Sequence, residues 1–341
     1  MSQFRQNPLT GQWVSIAPNR AERPLEFESG DSSGGVCPFC EGQESGTPPE
    51  SLALRNSRDG ANGPGWKVRI VPNRYPFVSP VAGVIPAFSD SLFQIRPSDG
   101  IQEVIIESPK HLSGVTDLST SEWADVLSVY RQRLGQLQAD GRWQYALLFK
   151  NSGEAAGASL SHIHSQLIAL PTVPAAVENM LTRFREHFQK NGSSILTDLI
   201  DRECAAGERL VYESEHFVVI CPFASRSPYE LQIIPRRQAA NFSEVADPLL
   251  EELAALLRNL IGRLEKVYES LAFNWLFHTC PFDTISQDYY HWHVEVVPRV
   301  TKTAGYEWAT GYAVNTVSPE SAAHHLRCLG GSAGEDLPEK R

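Results

Sequence analysis

The second half of this sequence repeats the order of predicted elements found in the first half. In each half, strand-like runs precede a long helical pattern, a further strand and a segment with His-x-His, which reads "SHIHSQ" and then "YYHWHVEVVPR". Three pairs of landmarks are separated by 126, 128 and 129 residues: Pro109 and Pro235, Lys150 and His278, His164 and His293. This nearly constant offset indicates an internal duplication. We therefore expect two related halves, residues 1–192 and 193–341.

Helical periodicity predicts one long helix in each half. In "STSEWADVLSVYRQRLGQLQAD" the apolar residues recur at helical spacing, and Ser119 with Glu122 fits a capping box. In the second half, Asp247 and Pro248 fit the N-cap and the first residue of a helix with a leucine stripe. A further helix is expected to end near Gly192.

The segment "GASLSHIHSQLIALP" places polar side chains on alternate residues of a predicted strand. Side chains of a strand point to opposite faces with a period of two, so His162, His164 and Gln166 are expected to share one face. This arrangement fits a functional site, and the neighbouring residues must decide. The alternative interpretation is a half-exposed strand in which the histidines have no shared role.

The pair Cys37 and Cys40 in "CPFC" has three interpretations: zinc ligands, a redox pair, or coincidence. A redox pair usually opens a helix after a strand, whereas this pair lies in a Gly- and Ser-rich stretch with no clear helix after it. Zinc is therefore favoured. A structural zinc site needs four ligands, and no second Cys-x-x-Cys exists, so histidines must complete the site. His111 and His162 are the candidates, although His111 taken alone also fits a surface loop.

Charge and hydropathy exclude several classes of partner. The chain has 30 basic and 40 acidic residues, a formal net charge of −10, and no Lys/Arg-rich run, which argues against nucleic-acid binding. No apolar signal segment and no membrane-length apolar run occurs, so we expect a cytoplasmic protein without a membrane partner. The scattered cysteines do not suggest a disulfide framework.

Six segments carry a family resemblance: "NPLTGQWVSIAPNRAERP", "CPFC", "VPNRYP", "ESPKH", "KNSGEAAGASLSHIHSQ" and "HWHVEVVPR". Together they resemble the galactose-1-phosphate uridylyltransferases of the histidine-triad superfamily, and the match runs nearly end to end. The resemblance implies an α+β fold of two tandem histidine-triad-like halves, each an antiparallel sheet with a crossing helix. It also implies a homodimer that acts on a nucleotide sugar and a sugar 1-phosphate.

The resemblance further implies a role for each matching residue. His164 is the expected nucleophile that takes up the nucleotidyl group, and Gln166 is the expected amide contact of the phosphoryl group. One structural zinc ion would be held by Cys37, Cys40, His111 and His162. The nucleotide- and phosphate-contacting positions would be Arg20, Arg23, Asn73, Asn151, Gly153, Ser159 and Gln166.

Some relatives hold a second metal in the C-terminal half, with three histidines and a glutamate. Here His278 and His293 match, but Met180 stands where the glutamate would be and Glu295 replaces the third histidine. We therefore expect His278, His291 and His293 to form a polar strand face, with a retained structural metal as the alternative.

These residues support a covalent mechanism. A neutral imidazole is a good nucleophile, and its second nitrogen is expected to donate to an acceptor such as a backbone carbonyl. Gln166 cannot titrate, so a nucleotidyl-His164 intermediate would persist until a phosphate-bearing acceptor arrives.

The expected reaction is uridylyl transfer from UDP-glucose to galactose 1-phosphate. One alternative is ADP-glucose phosphorylase chemistry with inorganic phosphate, and another is a non-catalytic, zinc-stabilised nucleotide-binding protein. The segment "YEWATGYAVNTVSPE" departs from the sugar-contacting pattern of the family, which leaves the hexose open.

Overall fold

The structure, a computed structural model, describes residues 2–22, 37–55, 60–80, 92–282 and 288–330. Its strands, in chain order, are β1 (Gln3–Gln6), β2 (Trp13–Ile16), β3 (Leu52–Arg55), β4 (Trp66–Pro72), β5 (Ile95–Pro97), β6 (Ile101–Ile106), β7 (Tyr145–Ser152), β8 (His164–Leu170), β9 (Leu210–Glu213), β10 (Phe217–Ile220), β11 (Leu231–Pro235), β12 (Phe273–His278) and β13 (His293–Pro298). Its helices are α1 (Thr120–Asp140), α2 (Ala175–Asn191), α3 (Ile195–Ala206), α4 (Asp247–Val267), α5 (Gly305–Thr310) and α6 (Pro319–Gly330).

Ten strands form one antiparallel sheet in the order β3-β4-β6-β8-β7-β12-β13-β11-β10-β9. Five strands come from each half, and their order outward from the centre is the same in both. This confirms the duplication and the α+β fold. The two five-stranded sheets are fused edge to edge through β7 and β12, where Asn151 lies opposite Asn274. The fusion leaves neither of these two strands with an unpaired edge.

The two long helices α1 and α4 pack against each other and on one face of this sheet, over a core rich in tryptophan and leucine. The predicted capping box of α1 is present, because Ser119 Oγ accepts from the backbone N–H of Glu122 and the Glu122 carboxylate accepts from the backbone N–H of Ser119. The predicted N-cap of α4 is wrong by one residue. Asp247 is the first helical residue, and its carboxylate pairs with Arg131 at 2.6 Å instead of capping the helix.

The opposite face of the sheet is covered differently in the two halves. In the second half, α2 and α3 pack on apolar residues of β10 and β11. In the first half, Phe39 of the CPFC segment packs on a small cluster from β4 and β6. Helix α2 ends at Asn191 with Gly192 as its C-cap at φ +75°, near the predicted end. Because α2 packs on strands of the second half, the boundary at residue 192 stays a prediction.

One landmark pair of the duplication is wrong. Lys150 lies on the face covered by α1, with its ammonium over the rings of Trp123 and Trp275. His278 lies on the other face, where its ring stacks on that of His293. Side chains alternate along a strand, so a one-residue error in the offset exchanges the two faces.

A smaller antiparallel sheet of β2, β1 and β5 contains the N-terminal residues. Within the described ranges, no helix has both the length and the apolar character needed to cross a membrane.

Candidate active site

The structure brings Cys37, Cys40, His111 and His162 together beside the start of β8. Their ligand atoms all lie within 4.8 Å of one another. Cys37 Sγ lies 3.6 Å from His162 Nδ1, and Cys40 Sγ lies 3.6 Å from His111 Nδ1 and 3.7 Å from His162 Nδ1. Two thiols and two imidazoles thus surround one point, and they could hold a metal ion.

The second ring nitrogens of both histidines have partners outside this cluster. His162 Nε2 lies 2.9 Å from the carbonyl oxygen of Ser108, and His111 Nε2 lies 3.2 Å from Ser161 Oγ. Because a carbonyl only accepts, His162 carries its proton on Nε2 and turns the lone pair of Nδ1 toward the thiols. Burial lowers the pKa of His162 to about 4, which keeps the ring neutral at pH 7. This is the tautomer that a metal ligand requires.

His164 is the first residue of β8 and is held in one orientation. Its Nδ1 donates to the carbonyl oxygen of His162 at 2.7 Å, and the Phe39 ring packs edge-on against it with the ring centroids 5.4 Å apart. Burial lowers the pKa of His164 to about 4. The ring is therefore neutral at pH 7, with its proton on Nδ1 and the lone pair of Nε2 available for attack on an electrophile.

A buried ionic network lies behind His164, on the face covered by α1. The Lys150 ammonium donates to the Glu107 carboxylate and, at 2.9 Å, to the carbonyl oxygen of His164. The hydroxyls of Tyr130 and Ser165 both donate to Glu107 Oε1 at 2.5 Å. Sequence analysis missed this network. Its signal was a charged residue at the end of two apolar runs, Glu107 after "VII" and Lys150 after "YALLF".

Gln166 lies two residues beyond His164 on the same face of β8. It is 5% exposed, and its Oε1 accepts a hydrogen bond of 3.2 Å from Gln102 Nε2. Asn73 lies next to this pair, because its backbone N–H donates to the carbonyl oxygen of Gln102 at 2.9 Å. The predicted phosphate contact and one predicted nucleotide contact are therefore neighbours.

His164, Asn151 and Gly153 line one cavity of about 260 Å³. Gly153 has φ +83°, and a Cβ there would lie 2.9 Å from Ala272 Cβ, so the loop requires glycine at this position. Ser159 is buried in the same loop, at 6% exposure.

Of the two predicted arginines, the structure describes only Arg20. Arg20 donates to the carbonyl oxygen of Tyr75 at 3.1 Å and lies over the Phe77 ring. No hydrogen bond between described residues joins it to His164 or Gln166. Arg23 lies outside the described residues.

The second half keeps the histidine geometry and changes what surrounds it. His293 Nδ1 lies 3.2 Å from the carbonyl oxygen of His291, and His291 Nε2 lies 2.6 Å from that of Pro235. These contacts repeat those of His164 and His162. Here, however, Glu295 replaces the glutamine. Its carboxylate lies 2.7 Å from Arg226 and 3.3 Å from His278.

The carboxylate of Glu295 decides what this second cluster can bind. Burial raises its pKa, but the nearby His278 and the Arg226 guanidinium outweigh burial, and the pKa lies well below the usual range. An ionised carboxylate repels a phosphoryl group. His278, His293 and Glu295 could hold a metal ion, since their ligand atoms lie within 4.8 Å of one another.

Comparisons with known proteins identify the family to which the chain belongs. The family model "Galactose-1-phosphate uridyl transferase, N-terminal domain" matches residues 1–174, and the model of its C-terminal domain matches residues 180–330. An ADP-glucose phosphorylase of Arabidopsis thaliana is 32% identical over 95% of this chain and 92% of its own length. A galactose-1-phosphate uridylyltransferase of Haemophilus influenzae is 29% identical over 95% and 93%.

Solved structures of the same two kinds of enzyme are similar to this chain over nearly its whole length. A uridylyltransferase structure superposes with a TM-score of 0.80 at 27% identity, covering 96% of this chain and 98% of that one. The Arabidopsis ADP-glucose phosphorylase with bound ADP-glucose has a TM-score of 0.74 at 30% identity, covering 96% and 99%. With family models that match both halves, and relatives aligned over nearly the whole length, this chain belongs to the galactose-1-phosphate uridylyltransferase family of nucleotidyltransferases.

Proposed function

We propose that this protein transfers a nucleotidyl group from a nucleoside diphosphate sugar to a phosphate-bearing acceptor through a covalent intermediate on His164. The observation that carries the proposal is the hydrogen bond of 2.7 Å from His164 Nδ1 to the His162 carbonyl oxygen, which leaves the lone pair on Nε2. Attack by Nε2 on the α-phosphorus forms an N–P bond and breaks the P–O bond to sugar 1-phosphate, which leaves with the electron pair.

The remaining residues assist this step without titrating. Sugar 1-phosphate is a good leaving group, so no strong general acid is needed. The Gln166 amide and backbone N–H groups of the Gly153 loop would donate to the non-bridging oxygens, where negative charge must be stabilised. Because Gln166 cannot activate water, the intermediate would wait for the second substrate, and the kinetics would be ping-pong.

Two donor and acceptor pairs compete within this mechanism. The first is UDP-glucose with galactose 1-phosphate, which the family models support. The second is ADP-glucose with inorganic phosphate, which is supported by the Arabidopsis phosphorylase at 32% identity against 29% for the Haemophilus uridylyltransferase.

Initial rates with both pairs, at matched concentrations, test the choice. Parallel double-reciprocal plots with one pair would support nucleotidyl transfer and identify its substrates. Absence of turnover with either pair would favour a non-catalytic nucleotide-binding protein.

We propose zinc as the ion held by Cys37, Cys40, His111 and His162, in a structural role. In a tetrahedral site with Zn–S bonds of about 2.3 Å and Zn–N bonds of about 2.0–2.1 Å, a sulfur and a nitrogen lie about 3.6 Å apart. The sulfur–nitrogen distances of 3.6 to 3.7 Å fit this geometry. Four protein ligands leave no open position for water, so zinc would supply folding free energy rather than chemistry.

Replacing Cys40 by serine is expected to remove the zinc and to destabilise the first half, since the two histidines would then share a site with one thiolate. Elemental analysis should give one zinc per chain for the wild type and less than about 0.2 for Cys40→Ser, with a lower melting temperature. Cys328→Ser, which changes an exposed cysteine outside the cluster, is the matched control. Full zinc content in Cys40→Ser would contradict the ligand set.

We also propose that the protein is a homodimer, as the family resemblance implies. Three aromatic side chains on and after α5 support an interface there, since Tyr306, Trp308 and Tyr312 are 60%, 78% and 69% exposed. Sedimentation equilibrium should give twice the chain mass, and Trp308→Glu should shift it toward the monomer. A monomer mass for the wild type at micromolar concentration would contradict the proposal.

A further inference from the structure

Two amide side chains outside the predicted site, Gln102 and Asn274, each bind the oxygen of an amide inside it. We propose that they are positioning residues, which turn the NH₂ groups of Gln166 and Asn151 toward the phosphoryl group being transferred. This inference rests on the proposed function and adds two residues to it, one from each half of the chain.

The orientation of Gln102 is determined by a backbone group. The N–H of Phe77 can only donate, and it lies 3.0 Å from Gln102 Oε1. Gln102 must therefore present its Nε2 group to Gln166 Oε1, at 3.2 Å. The Oε1 of Gln166 is thus occupied, and its Nε2 has no protein partner among the described residues. Both side chains are buried, with Gln102 4% and Gln166 5% exposed, so neither amide group can flip without losing a hydrogen bond.

The orientation of Asn274 is determined in the same way, with donor and acceptor exchanged. The carbonyl oxygen of Ala156 can only accept, and it receives a hydrogen bond of 3.0 Å from Asn274 Nδ2. The second hydrogen of that group reaches Asn151 Oδ1 at 2.9 Å. Asn151 Nδ2 then has no acceptor among the described residues, and Asn151 lines the same cavity as His164. The same side chain of β12 thereby ties the second half to the Gly153 loop of the first.

Amide orientation matters because the transferred group is an anion. An NH₂ group donates to a non-bridging phosphoryl oxygen, whereas a reversed amide would present its own oxygen and repel it. Without Gln102, the resting Gln166 would turn its oxygen toward water in the site. To stabilise the transition state, the Gln166 side chain would have to rotate back and bury its Oε1 without a hydrogen-bond donor. The cost falls on the chemical step rather than on ground-state binding.

The test is the single-turnover rate of nucleotidyl-enzyme formation at saturating nucleotide sugar. We expect Gln102→Met to lower this rate about tenfold, the penalty of one buried unsatisfied acceptor, with KM little changed. In a Gln166→Met background the same substitution should have no further effect, since Gln102 acts through Gln166. Gln232→Met on β11, the counterpart of β6 in the second half, is the matched control and should leave the rate unchanged.

Several outcomes would overturn the inference. A rate for Gln102→Met within twofold of wild type would do so, and so would an equal loss in the Gln166→Met background. A wild-type protein that forms no nucleotidyl-enzyme would instead remove the proposed function together with this inference. If Gln102→Met does not fold, the same cycle with Asn274→Leu and Asn151→Leu gives an independent test.

Discussion

His164→Ala is expected to form no nucleotidyl-enzyme and to lose turnover by roughly 10³-fold or more, the loss seen when a covalent nucleophile is removed. The physical reason is that His164 is the neutral imidazole at the start of β8, oriented by the His162 carbonyl at 2.7 Å. The variant should keep its metal content, because His164 is not one of the four clustered ligands.

His293→Ala is the matched control for this prediction. His293 has the same backbone contact in the second half, but the ionised Glu295 beside it disfavours a phosphoryl group. We expect this variant to form the nucleotidyl-enzyme normally. A stable adduct in His164→Ala, or its loss only in His293→Ala, would mean that the second half carries the chemistry.

Lys150→Met is expected to lower the free energy of unfolding by about 3–5 kcal/mol, the cost of leaving one member of a buried ion pair without its partner. Both side chains are nearly inaccessible, with side-chain exposures of 2% for Lys150 and 0% for Glu107. Among the described residues, the Glu107 carboxylate would then keep the hydroxyls of Tyr130 and Ser165 as its side-chain donors. Chemical denaturation at pH 7 measures the difference.

Two further variants make this prediction specific. Glu107→Gln added to Lys150→Met should recover part of the loss, because it removes the unpaired charge. Lys67→Met breaks an exposed ion pair with Asp125 and should cost less than about 1 kcal/mol. An equal loss of unfolding free energy in Lys67→Met and Lys150→Met would show that burial of the Lys150–Glu107 pair contributes little to its effect on stability.

Much of the fold and the metal cluster could be predicted from the sequence because their signals are local or periodic. The capping box at Ser119, the helix end at Gly192 and the alternation of His164 and Gln166 depend on residues a few positions apart. The repeated order of predicted elements allowed two related halves to be predicted. Their fusion through β7 and β12 could not be predicted, since strand pairing between distant segments leaves no periodic trace.

The wrong and missing predictions concern contacts between segments that are distant in sequence. Lys150 and His278 have similar places in the two copies but lie on opposite faces of the sheet, and a one-residue offset cannot be resolved from landmarks alone. Gln102 and Asn274 meet their partners only through pairing between distant segments, 64 and 123 residues apart in sequence. Asp247 follows a common N-cap pattern, but a distant arginine binds its carboxylate.

Covalent nucleotidyl transfer through His164 can be measured by intact-protein mass spectrometry after brief incubation with UDP-glucose and, separately, with ADP-glucose. We expect a gain of one nucleotidyl group with at least one donor, absent in His164→Ala and discharged by galactose 1-phosphate or by inorganic phosphate. The donor that labels the protein would identify the base. A wild-type mass unchanged by both donors would contradict a covalent intermediate on His164.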